Sequence, residues 1–451
     1  MKKRSLSFSA ILPCLLLSAF TGLAQEFRSG PPPQPGPTNT RTLIDSIRSS
    51  MTRFYVFPDT AEKMVAYIEA QYKKGAYKNI KDPDQLADRL TRDMQTAHHD
   101  GHFHLHFAPG FDEDLRRSRT NTDTTGQAER RRIRDSSEIA RQAQDNFGFH
   151  RVELLPGNIG YLVFHGFSGA VSEARPTLTA AFRFLSHCKA LIIDLRENGG
   201  GSPDMVAQIE SYLFTQRTHM NDILDRPQGR KAEFWADPAR AEGVTITAPV
   251  YILTARRTFS AAEDFTYGMQ QTHRAIIVGD TTGGGAHPVG PRPLGQGYVA
   301  DVPFARSLNP YTHTDWEGTG IIPDVPVPAE KALITARKLI LDEMAKTARD
   351  DDEKRRIKWV LDDLLAQDAA PLQDFTALTP YCGTYQGGLT FYTQGNNFYC
   401  RNPERGNEIF KLRPIDAGHF VLDENVHIEF AANSMTMFFS NGRVSVRTKE
   451  K

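Results

Sequence analysis

The sequence predicts an α/β chain with a helical segment at the amino end, a helix-covered sheet in the middle and a small antiparallel β-domain at the carboxyl end. Two patterns carry most of this. In the middle third, short β-rich apolar runs (Ile159–Phe164, Ala190–Leu195, Pro249–Thr254, Ala275–Val278) alternate with helical patterns at 171–187, 203–215 and 260–273. Such alternation argues for a sheet covered by helices. From residue 376 to 451 the character changes to runs such as "LTFYT", "NFYC", "HFVL", "VHIEF" and "MTMFF", separated by Gly, Asn, Pro and Asp. That spacing predicts an antiparallel barrel or sandwich.

The elements follow in chain order. Lys2, Lys3 and Arg4 precede an apolar run from Phe8 to Phe20, and Thr21-Gly22-Leu23-Ala24 precedes Gln25. This is the three-part pattern of a secretory signal peptide over 1–24, and the run is too short to span a bilayer. Its removal leaves 51 basic against 54 acidic side chains, net −3. The mature protein is therefore expected to be exported, periplasmic or extracellular, with no stable membrane insertion. Residues 25–40 are a proline-rich linker. Over 41–108 a helical subdomain is expected: Asp59 can cap a helix carrying Ala61, Met64, Val65, Ile68 and Tyr72, and "DPDQLADRLTRDMQTA" gives a second amphipathic stretch. Then "HHDGHFHLHF" alternates like a strand. Residues 109–146 form a charged excursion whose Arg run, interleaved with acids, reads as a wet helix face. The core is placed at 147–345, a helical linker at 346–375 and the β-domain at 376–451.

Lys plus Arg equal Asp plus Glu at 54 each, so no global field attracts nucleic acid or an anionic membrane. Export permits disulfides. Cys382 and Cys400 flank strand-like runs and could pair across a hairpin, whereas Cys188, just before a buried strand, reads as a core thiol.

Three segments carry chemistry. Two are glycine-rich turns, "DLRENGGGSPD" at 194–204 and "DTTGGGAHPVG" at 280–290. Neither has the Lys-Ser/Thr or the glycine spacing of a nucleotide loop. A turn after a strand and before a helix can instead offer backbone N–H groups to an oxyanion, although such turns are more often merely tight. The third is "PVYILTARRTFSAAEDF", where Ser260 opens a helix and Glu263 completes a capping box. A capping role alone explains a serine there. The same position, however, points a hydroxyl at the helix dipole with the Ala261 N–H beside it, as in strand–nucleophile–helix hydrolases. A nucleophile needs a base. No Lys lies between Ser260 and Lys331, whereas His98, His99, His102, His104, His106, His165, His287 and His313 are available. In a strand, His102 and His104 would share a face about 7 Å apart and could hold an ion, but no third ligand is spaced for it. No metal or cofactor is expected.

In order and spacing, "GYLVFHGF", "LIIDLRENGGGSPDM", "YILTARRTFSAAEDF", "IIVGDTTGGGAHPVG" and "DWEGTGIIPDVPV" resemble the tail-specific (carboxyl-terminal processing) serine peptidases. The likeness is greatest to the branch with the tricorn core and the interphotoreceptor retinoid-binding modules, and it covers about residues 45–345. It implies a crotonase-like ββα spiral core behind an N-terminal helical subdomain. By the same resemblance Ser260 matches the nucleophile, and Gly200, within the turn Gly199–Gly201, matches the glycine whose N–H joins that of Ala261 in an oxyanion hole. Thr281 stands where the processing branch has its Lys base, so the tricorn-like arrangement is implied, with His102 as base and Glu317 as the carboxylate orienting it. Gly101 stands where that branch carries a supporting Ser. His104 is the second candidate base. The expected function is peptide-bond hydrolysis on a peptide or protein substrate, with no nucleic acid. A non-catalytic module binding an apolar ligand on the same fold is the alternative, and an esterase a further one. The sequence leaves the oligomeric state open.

Overall fold

A computed structural model describes residues 38–120, 135–369 and 376–450. The signal segment, nearly all of the proline-rich linker and the Arg run of 130–134 lie outside the described residues. The chain divides into two compact units. One comprises Met1–Ser137, Ile223–Ala232 and His287–Ser307, the other Glu138–Asp222, Glu233–Ala286 and Leu308–Lys451. It is a mixed α/β protein.

In the first unit, α1 (Thr40–Phe54), α2 (Pro58–Lys73) and α3 (Pro83–Ala97) are followed by β1 (His104–Phe107) and α4 (Pro109–Thr120). Helix α5 covers 135–144 and from Glu138 onward belongs to the second unit. Asn39 and Asp82 cap α1 and α3 through their side chains, accepting the N–H of Thr42 and of Gln85. Helix α2 opens on Pro58 and has Phe57 at its cap position, so Asp59 sits in the first turn, not at the cap. The apolar faces of the three helices, among them Leu43, Ile47, Met64, Ile68, Leu90 and Met94, bury one core with Tyr298, Ala300 and Val302.

The second unit holds β2 (Phe149–Leu155), β3 (Ile159–Phe164), α6 (Val171–Leu185), β4 (Ala190–Asp194) and α7 (Pro203–Glu210). Strands β5 (Thr218–Asp225) and β6 (Arg230–Ala236) follow, then β7 (Val250–Thr254), α8 (Ala261–Gln271) and β8 (Ala275–Gly279). Strand β10 (Tyr298–Pro303) pairs with β1 on one side and with β9 (Val289–Gly295) on the other, and β11 (Ala305–Leu308) joins β5 and β6 in a three-stranded sheet. After β12 (Val325–Pro326) come α9 (Ala329–Lys346) and α10 (Asp351–Asp368). The principal sheet runs β12-β8-β7-β4-β3-β2, parallel except for β2.

Alternation along these strands fills two cores. Leu191 and Ile193 face α6, α7 and α8, whereas Ala190 and Ile192 face α9 and α10. Both faces of the sheet are covered, so the inner strands β3, β4, β7 and β8 are largely apolar, whereas the edge strand β2 carries His150, Arg151 and Glu153. The tail folds as a four-stranded and a five-stranded antiparallel sheet around Tyr385, Phe391, Phe398, Phe420 and Phe430.

Three expectations change. The strand in "HHDGHFHLHF" begins only at His104, so His102 lies in the preceding turn and does not share a strand face with His104. Cys382 and Cys400 are both free thiols. Cys400 stands opposite Phe391 and is buried in the tail core, where burial pushes its thiol up to about 12, while Cys382 donates to the carbonyl of Leu378. Strands β6 and β9 went unread because charges and prolines break their apolar alternation, as in "RKAEFWA" and "VGPRPLG".

Candidate active site

The five residues singled out in the sequence fall in both units: His102 in the first, and Gly200, Ser260, Ala261 and Glu317 in the second. Each set is built locally.

In the second unit β7 delivers the chain to Ser260, the cap position of α8, with φ 55° and ψ −121°. A non-glycine residue with this backbone carries strain of about 1–3 kcal/mol. It persists only if its surroundings hold it. Glu263 does so: its Oε2 accepts the Ser260 N–H at 2.9 Å, and the Ser260 carbonyl accepts the N–H of Glu263 and of Asp264. The GxSxG elbow is absent from the sequence, and the chain passes from β7 through residues 255–259 to Ser260.

Gly200, at φ +105°, packs against that turn. A Cβ there would stand 2.7 Å from the Phe259 carbonyl oxygen, 2.8 Å from Ser260 Cβ and 2.9 Å from the Ala261 nitrogen. Only glycine permits this approach. Gly200, Ser260 and Ala261 are thus brought together. The Gly200 N–H itself donates to Asn198 Oδ1 at 2.9 Å.

Glu263 is a residue that the sequence offered only as a cap. It is fully buried and accepts four hydrogen bonds: besides Ser260 N–H, Gly285 N–H at Oε2 (2.7 Å), and Gly284 N–H (2.7 Å) and the Thr282 hydroxyl (2.5 Å) at Oε1. Burial pushes its carboxyl up, and these donors oppose the rise without cancelling it. The loop it gathers continues to Ala286, whose N–H donates to Glu317 Oε2 at 2.6 Å, while Trp316 Nε1 donates to the Gly285 carbonyl. Thr282 Oγ1 also accepts the Ile321 N–H. One carboxylate therefore ties the backbone of Ser260 to the loop that holds Glu317.

In the first unit His102 lies in the turn before β1. Asp100 Oδ1 accepts the His102 N–H at 3.0 Å, and Asp100 Oδ2 accepts the Tyr55 hydroxyl at 2.7 Å. His287 Nδ1 lies 3.9 Å from Asp100 Oδ2, at ion-pair range, with its ring edge-on to Phe57. Burial pushes Asp100 up, but His287, Tyr55 and the His102 N–H outweigh it and hold the carboxyl below its ordinary value. Burial also drives His102 down to about 4, against the opposing pull of Asp100. His102 is thus neutral at neutral pH. His104 is exposed, with its Nε2 3.2 Å from the Gly101 carbonyl, and His106 pairs with Asp301 at 2.7 Å. Asp100, Tyr55 and His287 had no signal of their own: His287 read as one histidine among many.

The sequence pattern of peptidase family S41 matches residues 158–327, and that of the N-terminal domain of this family in eukaryotic IRBP matches residues 38–148. The chain is 28% identical over 184 residues to the chloroplastic carboxyl-terminal-processing peptidase 2 of Arabidopsis thaliana, covering 39% of this chain and 34% of that one. It is 26% identical over 176 residues to a CtpA-like serine protease of Staphylococcus epidermidis, covering 39% and 35%. The chain therefore spans about a third of the length of these curated relatives. Among solved structures, the photosystem II D1 C-terminal processing protease is similar at 26% identity over 39% of this chain and 45% of that one, with a TM-score of 0.33. With its peptidase segment at 158–327 behind an IRBP-type N-terminal domain at 38–148, the chain belongs to peptidase family S41.

Proposed function

We propose that the protein is an exported serine peptidase with a crotonase-like core, acting through Ser260, His102 and Glu317. The observation that carries this is the strained Ser260 at the start of α8, with the Gly200 backbone pressed against Ser260 and Ala261. In this reading His102 takes the Ser260 proton as the hydroxyl attacks the scissile carbonyl, then returns it to the leaving amine. Glu317 fixes the imidazole tautomer and stabilises the imidazolium. The Ala261 N–H and an N–H of the Gly199–Gly201 turn hold the tetrahedral oxyanion. Since the Gly200 N–H is engaged by Asn198, the second donor is assigned to that turn as a whole. Losing one such donor typically costs about 10²–10³ in rate. Thr281 has no group that could stand in for a lysine base.

Cleavage of a peptide library by wild type and by Ser260→Ala tests the reading. Turnover is expected from wild type alone, with the variant folded. A fluorophosphonate probe should label wild type at Ser260. Activity that survives in Ser260→Ala overturns the mechanism, and a folded wild type that neither cleaves nor labels would favour a module that binds an apolar ligand.

A further inference from the structure

Away from the histidine-rich run at 98–106, the structure also gathers metal-ligating atoms between β5 and β6. His219 and Asp222 on β5 and Glu233 on β6 each offer one donor atom, and all three lie within 4.8 Å of one another. We propose that these residues form a binding site for a divalent transition-metal cation, Zn²⁺ in the first instance.

Several features distinguish the cluster from a surface ion pair. The imidazole is held in place: it stacks on the Trp235 ring with centroids 4.3 Å apart and planes 9° apart. Its Nε2 lies 2.9 Å from Asp222 Oδ1, and that carboxylate is only 9% exposed. Trp235 Nε1 donates to Glu233 Oε2 at 3.3 Å, so one indole orients two of the three donors. Such outer contacts fix ligand geometry in metal sites and typically account for about 10–100-fold in affinity. Arg217 lies 4.0 Å over the Trp235 ring. As ligands, one imidazole nitrogen and two carboxylates bring two negative charges to a dication. One imidazole nitrogen with two carboxylate oxygens suits zinc or manganese, and leaves coordination positions for solvent. Bound there, the ion would pin β5 to β6.

Isothermal titration of the metal-stripped full-length protein with ZnCl₂ tests the proposal. One equivalent should bind, weakened at least tenfold in His219→Ala and in Asp222→Asn, and unchanged in His102→Ala and His106→Ala. Trp235→Phe keeps a ring but loses the N–H, and should weaken binding less than the ligand variants do. No stoichiometric binding, or binding untouched by His219→Ala and Asp222→Asn, overturns it. Should those variants fail to fold, the wild-type X-ray absorption spectrum decides. A single imidazole among oxygen donors supports the site, and two or more imidazoles overturn it.

Discussion

At the residue scale, Glu263 does more than cap a helix. Replacing one of its oxygens by an amide nitrogen in Glu263→Gln sets a donor against donors in a buried space, at a cost of about 1–3 kcal/mol for each group left unsatisfied. The strained Ser260 and the loop leading to Glu317 should both loosen. The expected outcome is a lower melting temperature and a fall in kcat with KM little changed, measured by steady-state kinetics on a cleavable peptide. An unchanged kcat would reduce Glu263 to a capping role. His102 gives a second outcome. An ordinary histidine would set an acid limb near pH 6.5. Burial lowers this one to about 4, so the neutral base persists well below neutral pH. The kcat/KM profile should stay flat from pH 7 toward 5 and decline through about 4, where the imidazole takes its proton. An acid limb centred near 6.5 would show that the working base is not the histidine in this buried state.

At the scale of elements, α7 and α8 begin at the Gly-rich turn and at Ser260, and each carries a buried acid. Glu210 closes α7 and Asp264 lies in the first turn of α8. Both are buried, and burial raises both: Glu210 strongly, with the Asp264 charge adding to the rise, and Asp264 to about 7, against a hydrogen bond from Asn221. Their folded-state values exceed the unfolded ones, so the stability they contribute is complete below about pH 4. It declines as pH rises above the ordinary carboxylate range, the contribution of Asp264 being lost through about pH 7. The melting temperature should therefore fall between pH 5 and pH 8, and Glu210→Gln should flatten that fall. The same slope in wild type and variant, recorded by circular dichroism melts, would place the pH dependence elsewhere.

At the scale of the whole molecule, the tail has its own aromatic core, but α10 belongs to the sheet. Ile357 and Leu364 of α10 pack with Ala332, Ala336 and Ile340 of α9 beneath β7 and β8. On its other side α10 meets the tail: Trp359 stacks on His427 with ring centroids 3.6 Å apart, and Asp363 pairs with Arg413. A chain ending at residue 369 should fold and still label at Ser260. One ending at 350 should melt markedly lower, since truncating a buried Leu or Ile alone costs about 2–5 kcal/mol. Equal melting temperatures for the two chains would show that α10 is dispensable.

The sequence by itself determined what depends on local pattern. The strand Ile159–Phe164 matches its expected bounds, and α6, α8 and the parallel strands begin and end within a few residues of theirs, because apolar period and helix-start residues act over short distances. It also marked Ser260, since a serine between a strand and a helix is a local feature. Only the tertiary structure decided the rest. A φ of 55° at Ser260 depends on donors gathered around Glu263 from a loop some twenty residues away. The environment of His102 depends on Tyr55 and His287, 47 positions before it and 185 after it. The His219 cluster likewise needs a hairpin whose second strand is broken by charge. Each rests on side chains that meet only when distant segments pack, and no periodicity along the chain encodes such meetings.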